Sequence, residues 1–263
     1  MKGPHRRLVP LILSTCILLV TTANLSSSYA SEYRTSSEAL PELGGWWAQK
    51  MVLTAVSDPP FVGTVTNETI NYLLIRVTQD GRQLTLKSQV CDVDIDSDFT
   101  KVRTVIPDAF ADALPDSTRT GELTRRDNRW RLEVDRVLNV VGARLREPTS
   151  ERLPTSTDDP RVVDGDDDGR PGLTVKIRGM VNGKIFVVQR GWDAYSGTVF
   201  SEERIRGDVR WSTEQEVLGS TSIFLGDQPP TEPHEDADRS FFEMVRLDGS
   251  SSCSDVSADL FKD

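Results

Sequence analysis

Apolar and polar residues alternate along most of this chain, which is the two-residue period of a strand with one buried face. Met51, Leu53 and Ala55 share one parity, Val52, Thr54 and Val56 the other, and Pro59-Pro60 stops the run. Alternation resumes over residues 70–77 and 83–87, and Asp80-Gly81 between them is a hairpin signal. The second of these runs continues to Cys91 and Val93. Residues 121–124 and the series Trp130, Leu132, Val134 flank a turn at 126–128. Further on, Leu173, Val175 and Ile177 alternate with Thr174, Lys176 and Arg178. Asn182-Gly183 then predicts a type I′ turn, whose two central residues need positive φ, before an apolar run at 185–188. Strands are also predicted at 197–201, 205–211, 216–225 and 240–247, while residues 137–145 mix both periods and leave their type open.

One stretch breaks the pattern. Behind Pro107, the residues Asp108, Ala109, Phe110, Ala111, Asp112, Ala113 and Leu114 are mostly helix formers, with Phe110 and Leu114 spaced to share a face. A short helix packed over one end of the sheet is expected there. Nine or ten strands with one short helix make an all-β protein, a single antiparallel β-barrel or barrel-like sandwich. Closure into a barrel is preferred, because consecutive hairpins form a meander whose edges closure would hide.

The ends of the chain set its organisation. Lys2, Arg6 and Arg7 precede an apolar run from Leu8 to Ala23, and Ser28-Tyr29-Ala30 is a small-x-small cleavage site, so residues 1–30 read as a secretory signal peptide. Leu13-Ser14-Thr15-Cys16 is near a lipobox, but the threonine and the apolar residues beyond Cys16 favour ordinary cleavage over a lipid anchor. Residues 31–43 are rich in Ser, Thr and Glu and read as a disordered linker. Residues 44–255 form the barrel domain, with an Asp-rich insertion at 147–172, and 256–263 a tail. The product is expected in the periplasm or outside the cell.

Cleavage would leave 28 basic against 41 acidic residues, which argues against nucleic acid as a partner. Cys91 and Cys253 would be the cysteines left, and in an oxidising compartment they are expected to form a disulfide. His234, in a Pro-rich loop, would be the histidine left, which excludes a His-rich zinc site and makes a Ser-His-Asp triad improbable. A pair of carboxylates acting on a glycoside needs no histidine and is the enzyme alternative.

The sharpest chemistry lies in Asp164-Gly165-Asp166-Asp167-Asp168-Gly169-Arg170-Pro171-Gly172. A hard cation such as Ca²⁺ takes six to eight oxygens, and a curled loop brings carboxylates at its first, third and fifth positions onto one centre. Asp164, Asp166 and Asp168 hold those positions, Gly169 follows at the turn, and the carbonyl of Arg170 is the next ligand. Over these nine residues the chain resembles the first half of an EF-hand, dockerin or thrombospondin type 3 calcium loop. It departs from the EF-hand at the ninth position, Gly172, and the twelfth, Val175, where that motif has a bidentate glutamate. Glu151, Asp158 and Asp159 are candidates to complete the shell. The run Asp92, Asp94, Asp96, Asp98 is a weaker cation candidate, because no glycine turn gathers it.

The opening Gly45-Trp46-Trp47 resembles the Gly-x-Trp that begins the first strand of lipocalins and other calycins, with Arg239 or Arg246 as the late arginine that packs on the tryptophan. This resemblance implies a barrel with a cavity for a small apolar ligand. The reading that joins these features is an exported, non-enzymatic β-domain stabilised by Ca²⁺ and a disulfide, acting as a binding or envelope-associated module. A carrier of a small apolar ligand and a glycoside-acting enzyme are the alternatives.

Overall fold

The computed structural model describes residues 39–59, 63–226 and 229–262. The expected signal peptide, Cys16 and residues 31–38 of the expected linker lie outside them. In chain order the elements are β1 (Gly45–Ser57), β2 (Val65–Asp80), β3 (Gln83–Ser97), β4 (Val102–Val105), α1 (Asp108–Asp112), β5 (Ser117–Arg126), β6 (Arg129–Val141), β7 (Leu173–Gly179), β8 (Gly183–Ser201), β9 (Arg204–Ser220), β10 (Glu232–Pro233) and β11 (Phe241–Leu247). Eight strands close a ring, β1-β2-β3-β5-β6-β8-β9-β11 and back to β1, each antiparallel to its neighbours. With β4, β7 and β10 set aside, ring order is chain order. This is the closed meander expected from consecutive hairpins.

Several strands outrun their sequence signals. The runs at 185–188 and 197–201 are two ends of one 19-residue strand, β8. Glycine and polar residues between them hide its continuity, because the ladders to β6 and β9 carry the strand through Gly191 and Gly197. Likewise β9 continues through 212–215 but ends at Ser220, and Ile223–Leu225 is a 3-10 turn rather than strand. Residues 137–141 belong to β6, and β4, which the sequence pattern missed, pairs with β7 at the sheet's far edge. The type I′ signature falls elsewhere than expected. Neither Asn182 nor Gly183 has positive φ, whereas Asp127 and Asn128, between β5 and β6, have φ 50° and 61°. At 182 the side chain closes the loop instead, its amide donating to the Gly179 carbonyl at 3.0 Å.

The interior is apolar and the outside charged, the reverse of a membrane barrel. On β6, Trp130, Leu132 and Val134 are buried while Arg129 and Glu133 are exposed. Trp47, Ile75, Leu86, Leu123, Leu132, Tyr195, Ile205 and Phe242 fill one continuous core, as suits an eight-stranded barrel just wide enough for side chains. A satellite core, Phe110, Val175, Ile177, Val187 and Leu225 among them, seats α1 against the β7 flap.

The two ends of the barrel are built differently. At one, β2–β3, β5–β6 and β8–β9 are each joined by two residues. Residues 39–43 of the expected linker lie across this end, where Pro41 and Leu43 are buried and Ala39, Leu40 and Glu42 are exposed. The Trp130 indole donates to the Ala39 carbonyl at 2.7 Å, the Leu43 amide donates to Gln79 at 2.6 Å, and the Trp47 indole donates to the Leu43 carbonyl at 2.8 Å. The Arg246 guanidinium lies 4.8 Å over the Trp47 ring and donates to the carbonyl of Gly44 at 2.6 Å. Of the two arginines expected to pack on the tryptophan, Arg246 does so, whereas Arg239 pairs with Glu68 at 2.9 Å. The other end carries the long connections, including the 142–172 excursion.

Cys91 and Cys253 form a disulfide. Cys91 is the extra residue of a β-bulge, since Tyr72 pairs with Asp92 and Leu73 with Val90. The bond fixes the tail to the barrel wall, where Phe261 meets Tyr72 with ring centroids 6.1 Å apart.

Candidate metal centre

The aspartate loop sits where the chain re-enters the barrel. It leaves β6 at Val141, which pairs with Gln189, and returns as β7 at Leu173, which pairs with Val187 on the same edge of β8. Departure and return therefore cross one point, and glycines make this feasible. Gly172 has φ 79°, and a Cβ there would lie 2.3 Å from the Val187 carbonyl oxygen. Gly142 has φ 73° and would meet the same oxygen at 2.7 Å. Only glycine tolerates both the left-handed conformation and the close approach. As a ninth loop position Gly172 is a missing ligand; in the fold it is the hinge that closes the loop.

Backbone bonds draw the loop shut. The Gly165 amide donates to the Gly172 carbonyl at 3.0 Å, and the Gly172 amide donates to the Val163 carbonyl at 2.9 Å. Asp164 then organises the turn, accepting from the amide of Asp168 at 3.2 Å and of Gly169 at 2.8 Å. Asp167 takes φ 52° and Gly169 φ 77°, so the chain curls around the carboxylate. Asp166 accepts from the Thr174 amide at 3.0 Å, and Asp168 from the Arg170 amide at 3.0 Å and the Thr174 hydroxyl at 2.9 Å. Thr174, 2% exposed on β7, thus ties two of the three carboxylates to the sheet. The sequence pattern treated it only as a polar strand position.

These constraints bring one oxygen of each of Asp164, Asp166 and Asp168 within 4.8 Å of the others. Three carboxylates this close can hold a metal ion. Their electrostatics agree. Burial, with the like charges of Asp168 and Asp164, raises the Asp166 carboxyl above the usual carboxylate range, against the opposing bond from Thr174. One Asp166 oxygen, Oδ1, is buried and has no hydrogen-bond partner among the described residues. An orphaned buried acceptor between two further carboxylates is what a cation would satisfy. Burial acts against ionisation of Asp168 too, but the Thr174 hydroxyl and the Lys184 ammonium, 3.4 Å away, bring its pKa below the usual value.

The other proposed ligands are engaged elsewhere. Glu151 and Asp159 do not fold back onto the centre: both clasp Arg161, at 2.8 and 2.6 Å. That guanidinium holds Asp159 down at about 2, chiefly through its hydrogen bonds. Asp158 is not in the cluster. The guanidinium of Arg170 lies 5.6 Å from the Phe186 ring. Asp92, Asp94, Asp96 and Asp98 are spread along the end of β3 and do not converge: the Asp164 group is the only such cluster among the described residues. Burial, together with the charges of Asp94, Asp92 and Asp96, raises the Tyr72 phenol.

A glycosidase needs a cleft with paired carboxylates and aromatic walls, and two hollows bear on that reading. One, of about 220 Å³ beside β1 and β10, contains Asp58 and Glu232 and no aromatic side chain among the described residues. The other, of about 140 Å³ within the wide end of the barrel, contains Asp193 as its single carboxylate, and that is paired with Arg119. No family model matches the chain, and no curated protein or solved structure matches it either.

Proposed function

We propose that the protein is an exported, non-enzymatic binding module, a β-barrel whose wide end is braced by Ca²⁺. The observation that carries this reading is the convergence of Asp164, Asp166 and Asp168 around the unpartnered Asp166 Oδ1. These carboxylates and the Arg170 carbonyl would hold the ion, and water would supply the remaining oxygens of a six- to eight-fold shell. An all-oxygen, carboxylate-rich donor set suits a hard cation rather than zinc or copper. With so few protein ligands the affinity falls in the weak range of extracellular modules, about 10⁻⁴ to 10⁻³ M. What the ion would supply is a rigid hinge: it would lock the loop to Thr174 and so fix β7 and the flap it carries.

The Cys91–Cys253 bond supports an oxidising compartment, in keeping with the signal-like first thirty residues. Thermal melts of the mature protein in EDTA and in millimolar Ca²⁺ test the reading. Calcium should raise the melting temperature of the wild type and leave Asp166→Ala and Asp168→Ala unmoved. Equal insensitivity in all three would reduce the loop to a solvated turn.

A further inference from the structure

The interior of the barrel is not uniformly apolar. Gln49 lies between Trp47 and Met51 on the inward parity of β1 and is 0% exposed. Beside it stands Tyr195, whose phenol burial pushes up to about 12, with the Arg119 cation and the Gln49 amide acting the other way. The Arg119 guanidinium lies 5.5 Å over the Tyr195 ring and makes a two-pronged ion pair with Asp193. A column of polar groups thus climbs the barrel interior from Gln49 through Tyr195 to Arg119 and Asp193.

The column ends in the cavity of about 140 Å³, whose walls are Met51, Leu53 and Leu73 on one side and Leu114, carried in from the end of α1, on another. Its polar lining consists of Arg119, Asp193, Asn71, Asn139, Ser88 and Ser117. The two serines bond to each other at 2.6 Å. The carboxamides of Asn71 and Asn139 have no partner among the described residues, and Arg119 directs only two N–H bonds to Asp193 out of the five its side chain carries.

We propose that this cavity binds a small neutral molecule made of a ring-sized apolar body and a carboxamide or similar carbonyl group. Size sets the body: a cavity of roughly 150 Å³ takes benzene, whereas long apolar ligands fill pockets of about 300 Å³ or more. Charge sets the head group. Arg119 and Asp193 cancel, so an anion would face Asp193 and a cation would face Arg119, each giving up water for no net attraction. A carbonyl oxygen can accept from the spare Arg119 N–H groups, and an amide N–H can donate to the asparagine carbonyls. The apolar body lies against Leu53, Leu73 and Leu114. This site shares no residue with the aspartate loop and stands or falls apart from it.

Benzamide, benzoate and toluene, three probes of one ring size, test the proposal when titrated into the oxidised, ¹⁵N-labelled protein. Benzamide should shift the amides of Asn71, Arg119 and Asn139 saturably, and benzoate and toluene should each bind at least tenfold more weakly. Leu114→Trp, which fills the cavity from its edge, should abolish the benzamide shifts, and Asn139→Leu should weaken them about tenfold without altering the melting curve. The proposal is overturned if benzamide gives no saturable shift, if benzoate or toluene binds as well, or if both variants bind benzamide like the wild type.

Discussion

The two ends of the barrel solve different problems with the same strands. At the narrow end every hairpin is a two-residue turn, and the plug of residues 39–43 seals the interior through Trp47, Trp130 and Arg246. The indole and guanidinium donors there meet backbone carbonyls. At the wide end the connections are long, three carboxylates are crowded together, and the Asn71 and Asn139 carboxamides of the cavity lack partners among the described residues. A seal needs complementary groups within one chain. A site needs groups that a second species completes, so unsatisfied chemistry gathered at one end distinguishes the two.

That contrast predicts a hierarchy of effects. Trp47→Ala removes the largest fully buried side chain and unseats Arg246, and should destabilise by about 3 to 5 kcal/mol; urea denaturation would read it, and a loss under 1 kcal/mol would show that the plug is not a seal. Cys91→Ser opens a cross-link over 162 residues. It should cost about 2 to 5 kcal/mol on the same assay, with the tail around Phe261 released from Tyr72.

Paired glycine substitutions sharpen the comparison further. Gly81, in the narrow-end β2–β3 turn, has φ 58° but open space around its Cβ position. Gly81→Ala should cost only the left-handed conformation, about 1 kcal/mol. Gly172→Ala adds a backbone clash at 2.3 Å to the same conformational cost, and should lose about 2 kcal/mol or more together with calcium binding. Equal effects at the two glycines would mean that the crossing at 172 is not tight.

The smallest effect concerns pH. Arg161 depresses Asp159 to about 2, chiefly through hydrogen bonds, below its unfolded value of about 3.9. A depressed carboxylate stabilises the fold above the unfolded pKa and loses that contribution as pH falls through the folded one. Asp159→Asn should therefore narrow its deficit against wild type between pH 5 and pH 2. The pair lies at the surface, in reach of solvent, so the change in melting temperature should be small; an unchanged difference across that window would rule the pair out as a stabiliser.

The sequence carried the barrel because period-two alternation reports directly which face of a strand is wet. It lost the positions where that count slips. The bulge that isolates Cys91 and the irregularity between Val134 and Val137 each shift the register, and the second brings Asn139 to the inward face. The Asp loop was legible because its ligands are contiguous, yet Thr174, which orients two of them, carries no motif of its own. Arg119 and Gln49 left a usable trace: each is a polar residue on the inward parity of its strand, Gln49 between Trp47 and Met51, Arg119 in step with Gly121 and Leu123. Asp193 becomes the partner of Arg119 only when β8 closes against β6 and β9, a long-range pairing that no local pattern encodes.

Amide hydrogen exchange of the mature protein, in EDTA and in millimolar Ca²⁺, compares the two ends in one experiment. Calcium should slow exchange at Asp168, Gly169, Arg170 and Thr174 at least tenfold while leaving the narrow-end amides of Leu43 and Leu123 unchanged. No change at the aspartate loop, or equal slowing at both ends, would contradict a calcium-braced wide end.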